Sequence, residues 1–312
     1  MAHEIEIIDG VAQMAYVGNT PWHGLGKSVP NDLSPEQMLE AAGLNWSVEK
    51  KDIFLSDGTM LNDKALVRST DNKVLSVVSK NWNEVQNLEA FQFFDDFVKA
   101  GDMEMHTAGS LKDGKMIWAL AKIKESFTLF GDDTIDNYLL FSNPHEFGKT
   151  IEIRVINTRV VCMNTLSFSL KEKTKHQVKL NHRRKFDGDL VKETLGISSE
   201  ILNDYKKQAE FLGSKYYTKE NMKLFYDTIF PSTNEDKEHS RNSEKMIGII
   251  ETQPGAYFAE GTFWSLFNSI TYYTNHLACR NQDNRLHSLW YGNNSVINKK
   301  ALNLALQMAA TA

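Results

Sequence analysis

The chain has 312 residues, 41% of them hydrophobic and 24% charged, with a formal net charge of −5 and a pI near 6.0. That composition supports a sizeable buried core, and its acidic balance excludes a protein built throughout to coat nucleic acid while leaving room for a local basic site. Cys162 and Cys279 are the only cysteines, too few for a disulfide framework; no apolar leader follows Met1 and no apolar run reaches about 18 residues, so the expected setting is the cytoplasm, without a membrane anchor.

The first predicted element is a helix with Ser34 as N-cap, Pro35 at its first position and Gln37 completing a capping box. Gly43 supplies the left-handed stop. A strand is expected over Val48–Leu55, then a hairpin of Lys64–Arg68 and Val74–Val78 closed near Asp71-Asn72. Leu88–Ala100 reads as one helix capped by Asn87, with Leu88, Phe91, Phe94 and Val98 on one face. Four further strands follow, at Met103–Ala108, Met116–Ile123, Tyr138–Ser142 and Thr150–Asn157. Met116–Ala121 is apolar on both faces, as in a central strand. In the last strand Ile151, Ile153 and Val155 alternate with Glu152 and Arg154, which predicts a half-buried strand with the two charges outward.

Beyond residue 187 the period becomes helical, over Leu190–Leu212, Glu220–Phe230, Thr262–Leu277 and Lys299–Met308. Pro231–Arg241 reads as an exposed polar loop. The expected class is α+β: an antiparallel or mixed sheet with packed helices over residues 1–186, and a mainly helical part over 187–312 that packs on the core.

Chemistry is concentrated in one place. Lys171–Lys185 (KEKTKHQVKLNHRRK) holds seven Lys or Arg against a single acid, Glu172. Lys171, Lys173 and Lys175 fall on one side of an extended segment, where they can track phosphates. Lys179 and Lys185 add point charges, and Arg183 and Arg184 add forked contacts. Upstream, Arg154 and Arg159 extend the same field, and Trp22 in Pro21-Trp22-His23-Gly24-Leu25-Gly26 is a candidate for base stacking. The bland alternatives are a solvated loop for the basic run and a structural plug for Trp22.

Other motifs fall away. Asp132-Asp133 with Asp136 follows Gly131 and reads as a turn. His276 and Cys279 lack the second ligand pair that a structural zinc requires, so no metal is expected. Neither a nucleophile elbow, nor a Walker sequence, nor a zincin motif occurs, and no cofactor or catalytic residue is assigned.

Several segments together carry a family likeness: Pro21–Gly26, Val85–Phe91, Gly109-Ser110-Leu111 with Gly114, Thr158–Leu166, and Thr262-Phe263-Trp264 leading to His276. In this order they resemble the phage/plasmid-like family that carries domain of unknown function 932, over roughly residues 15–310. Asn143-Pro144-His145-Glu146-Phe147-Gly148 stands where relatives have a Ser-His-Asp-Gly turn. The resemblance implies a gene of mobile elements and brings no catalytic residues. Together with the basic run it leads to the expectation of a DNA-binding protein, single strands included, in recombination or replication, working as a homo-oligomer by analogy with annealing proteins. The rival expectation is a host-interaction or anti-defence protein that acts by protein contact, through an apolar patch such as the helix bearing Tyr272 and Tyr273.

Overall fold

The computed structural model describes residues 5–21, 24–159, 164–167, 177–195, 199–232, 240–278 and 285–312. Its class is α+β, with antiparallel and mixed sheets and a helical C-terminal part. The chain forms two compact units. The first comprises Met1–Lys124, Tyr138–Val155 and Lys175–Ile197; the second comprises Glu125–Asn137, Ile156–Thr174 and Ser198–Ala312. Three strands, Met116–Leu129, Asp133–Pro144 and Ile151–Arg159, run from one unit into the other.

In the first unit the sheet order is Gln177–Leu180, Ile151–Val155, Tyr138–Pro144, Met116–Lys124, Met103–Leu111, Met14–Val17, Lys27–Val29. The last pair is parallel, whereas Met103–Leu111 meets Met116–Ile123 antiparallel around the turn Lys112-Asp113-Gly114. Trp118 and Ala121, on opposite faces of that central strand, are both buried. A separate three-stranded antiparallel sheet joins Val48–Phe54, Met60–Arg68 and Val74–Val78.

The helix Pro35–Ala41 forms for the local reasons its sequence states. Ser34 Oγ accepts from Gln37 N at 3.2 Å, Ser34 N donates to Gln37 Oε1 at 2.8 Å, and Gly43 stands at φ 73°. The expected single helix over Leu88–Ala100 is instead two short ones, Asn87–Gln92 and Asp95–Ala100, with Gln86 rather than Asn87 as the cap. Phe91, Phe93 and Phe94 are all buried. Phe93 and Phe94 keep right-handed backbone angles at the junction, and the Phe93 ring packs against Phe94 and Phe141 at 5.4 and 5.3 Å.

A buried ionic cluster ties the start of the chain to the three-stranded sheet. Arg68 donates to Glu6 Oε1 at 2.7 Å and, through Nε and Nη2, to both oxygens of Asp71 at 2.9 and 2.7 Å. Ser110 Oγ donates to Glu6 Oε2 at 2.7 Å. Asp71 is held down at about 2, chiefly by its hydrogen bond from Arg68.

The second unit is built around the helix Phe263–Tyr272, buried on every side and prolonged by a π-turn over Tyr273–Leu277. Ser265, Asn268, Ser269 and Thr271 survive inside because each side chain donates to a carbonyl three or four residues back in its own helix. Around it pack Ser199–Gly213, Lys219–Ile229, Arg241–Thr252 and Asn293–Ala309, with Leu129 and Ile135 from the strand segments in the same core. Asp133, expected in a turn, begins a strand and accepts from Trp264 Nε1 at 3.3 Å. Tyr273 is no surface residue: its ring meets Phe230 and its hydroxyl donates to Asn242 at 2.9 Å.

Candidate nucleic-acid interface

The part of the basic run that is described begins with the edge strand Gln177–Leu180, which pairs antiparallel with Ile151–Arg154. Alternation sends Val178 inward and leaves Lys179 59% exposed, 3.7 Å from Glu152. An Asx turn follows, Asn181 Oδ1 accepting from Arg183 N at 3.1 Å. Asp187 Oδ1 then accepts from Leu190 N at the start of the helix Gly188–Leu195. Strand, turn and helix enclose a groove of about 500 Å³. Lys179, Arg184 and Lys185 line it, as do the apolar side chains of Ile151, Leu180, Phe186 and Leu190. Arg183, Arg184 and Lys185 are exposed and make no ion pair or side-chain hydrogen bond among the described residues.

The turn is anchored from a distant stretch of chain. Asn83 N and Nδ2 both donate to His182 O, at 2.7 and 3.1 Å, and His182 Nδ1 donates to Asn83 O at 2.8 Å. The imidazole lies flat on Trp82, with centroids 3.9 Å apart and planes 18° from parallel. Nδ1 therefore carries the proton, and Nε2 is buried without a hydrogen-bond partner among the described residues. Burial lowers the pKa of His182, opposed by the Asn83 carbonyl.

Beside this anchor two segments that carried the family likeness, or departed from it, come together. Asn143 Nδ2 donates to Val85 O at 2.8 Å, and His145 Nε2 lies 2.9 Å from Asn87 Oδ1. Asn87 gives its own amide hydrogens to Leu44 O and Trp46 O. Its Oδ1 is thus the acceptor, His145 Nε2 the donor, and Nδ1 bare. Full burial, with a smaller push from His182, lowers the His145 pKa to about 3. Sequence reasoning missed these anchoring residues. Trp82 and Asn83 carry no motif of their own, and only the recurrence of Val85–Phe91 as a familiar segment hinted at a special neighbourhood.

Arg154 requires a correction. Expected on an outward face, it is 5% exposed and pairs with Glu152 at 3.0 Å, itself 7% exposed. Each charge compensates its neighbour, so a strand that alternates in sequence is buried on both faces, and Arg154 does not join the groove. Lys171, Lys173, Lys175 and Trp22 lie outside the described residues, as do Cys162 and Cys279; of Arg159 only the strand backbone is described. Among the described residues no three His, Cys, Asp or Glu stand together as a metal site, and no helix is long and apolar enough to cross a membrane.

Residues 74–290 match the model of a family described as domain of unknown function (DUF932). No curated protein and no solved structure matches the chain.

Proposed function

Because the chain belongs to the DUF932 family, whose description assigns no activity, we propose its function from the groove: it binds DNA, single strands included, as a protein of phages or other mobile elements engaged in recombination or replication in a bacterial cytoplasm. The observation that carries this reading is a set of exposed cations, Arg183, Arg184 and Lys185, that have no partner among the described residues and follow the strand bearing Lys179 on a turn anchored by Asn83. Cations that have no internal acid to neutralise are available to an external polyanion, and their attraction acts locally whatever the net charge. Assembly into a homo-oligomer belongs to the same proposal and is read by mass measurement in solution.

The test is titration of a fluorescent single-stranded oligonucleotide at 50 and 200 mM salt. Three phosphate contacts on a single strand give a log–log salt slope of about −2, hence roughly a 20-fold weakening over that range. The triple variant Lys179→Ala/Arg183→Ala/Arg184→Ala is expected to flatten that slope and lower the affinity. Absence of binding at the lower salt, or undiminished binding by the variant, would reject the proposal.

A second reading, contact with a host protein, draws support from Phe54, Met60, Val74 and Val77, all half-exposed or more on the three-stranded sheet. Phe54→Ser/Met60→Ser separates the two: it leaves DNA titration unchanged and abolishes only a protein contact made by that sheet.

A further inference from the structure

We propose that the groove takes one unpaired nucleotide at a time, with the base against its apolar wall and the flanking phosphates on its basic rim. This rests on the reading of the groove as a nucleic-acid site and adds the form of the substrate: a single strand, read through base faces as well as phosphates.

The lining is of two chemical kinds. Lys179, Arg184 and Lys185 supply positive charge, while Ile151, Leu180, Phe186 and Leu190 supply an apolar wall. A surface that only tracks phosphates has no use for the second kind, and Leu190 is 57% exposed in an open groove, where water is a poor neighbour. A ligand that satisfies both walls carries a flat apolar face one bond chain away from a fixed anion. An unstacked nucleotide has that form, whereas in a duplex the base faces are already covered by stacking. The volume, about 500 Å³, lies within the roughly 300–1,000 Å³ of small-molecule sites.

The wall is also held in place. Phe186 meets Phe93 and Phe141 at centroid distances of 6.4 and 5.5 Å, both edge-on, so its ring is fixed before anything binds. Asn181 and Gln177 bring amides that can donate to or accept from a base edge. Asp187, the acid among the lining residues, is engaged in capping the helix through Leu190 N.

A base joined to a phosphate can come from a strand or from a free nucleotide, and the experiment separates them. Affinities are measured for a thymidine oligonucleotide of about 12 nucleotides, within the usual single-strand site size, for an abasic strand of equal length and charge, for a duplex of the same length, and for dTMP as competitor. The thymidine strand is expected to bind roughly tenfold more tightly than the abasic strand, as for one stacked base, and more tightly than the duplex. Leu190→Ala, at an exposed position that leaves the fold intact, and Phe186→Leu are each expected to bring the thymidine strand to the abasic level. Neither changes the salt slope, while Arg184→Ala weakens both strands. Equal affinity for thymidine and abasic strands overturns the inference and leaves the phosphate-binding reading standing. Binding of neither strand overturns both. Tighter binding of dTMP than of the strand assigns the groove to free nucleotides and overturns the single-strand reading.

Discussion

Arg68 is 1% exposed and fully charged, and its environment is arranged acceptor by acceptor: Glu6 on one side, the fork of Asp71 on the other, the ring of Trp46 at 5.3 Å. Desolvation alone would lower its pKa, but the hydrogen bonds it donates to Asp71 and Glu6 outweigh that and raise it. Removing one member of a buried pair leaves the other charge uncompensated. Arg68→Ala is therefore expected to lose about 3–5 kcal/mol in urea denaturation, and a loss under about 1 kcal/mol would show that Glu6 finds another partner. His145 makes an opposite demand, since it must stay neutral. With a folded pKa of about 3, the unfolded chain takes up the proton first as pH falls below the ordinary histidine value. The stability this residue secures is complete above that value and is lost between it and pH 3. At pH 5 the loss relative to pH 7.5 is about 2 kcal/mol, read from urea midpoints at the two pH values. His145→Gln, which keeps a donor for Asn87, is expected to flatten that dependence; an unchanged slope would assign it elsewhere. Asp71 adds to acid lability only below the usual carboxylate range, because its own pKa is lowered.

The turn Lys112-Asp113-Gly114 shows how one element depends on another. Gly114 has φ 87°, and a Cβ there would stand 2.8 Å from Arg68 Nη1. Gly114→Ala meets both backbone strain and a displaced guanidinium, so a loss of about 2 kcal/mol or more is expected by thermal or chemical denaturation; a loss below about 0.5 kcal/mol would contradict the packing described. The same contrast explains what was legible in the sequence. The helix Pro35–Ala41 was legible to its cap because Ser34, Pro35 and Gln37 are neighbours. The break at Phe93-Phe94 was not, because it answers to Phe141 and Phe186. Glu152 and Arg154, neighbours on one face of their strand, read as a solvent face, yet both are buried and paired with each other, and their burial has no local signature. For the candidate site, the charges of Lys179, Arg184 and Lys185 were visible as composition. Their apolar counter-wall and the anchor at Trp82 and Asn83, about a hundred residues away, were set by tertiary contacts with no local signature.

At the scale of the whole molecule, neither unit is a continuous piece of chain. Residues 125–137 and 156–174 belong with the C-terminal helices, and residues 175–197 with the N-terminal sheet. A fragment spanning Ser198–Ala312 lacks Leu129, Ile135 and Asp133, which help to close the core around Trp264. Made alone, it is expected to give a non-cooperative thermal melt and poorly dispersed amide resonances; a cooperative transition would mean that the helices need no strands. The interleaving also has a consequence for the ribosome. Phe127, Leu129 and Ile135 leave the exit tunnel well before the helices that cover them, and at roughly 5–20 residues per second that gap lasts on the order of ten seconds. During that time two strand ends wait with their apolar side chains uncovered, a target for chaperones and for neighbouring nascent chains on the same message.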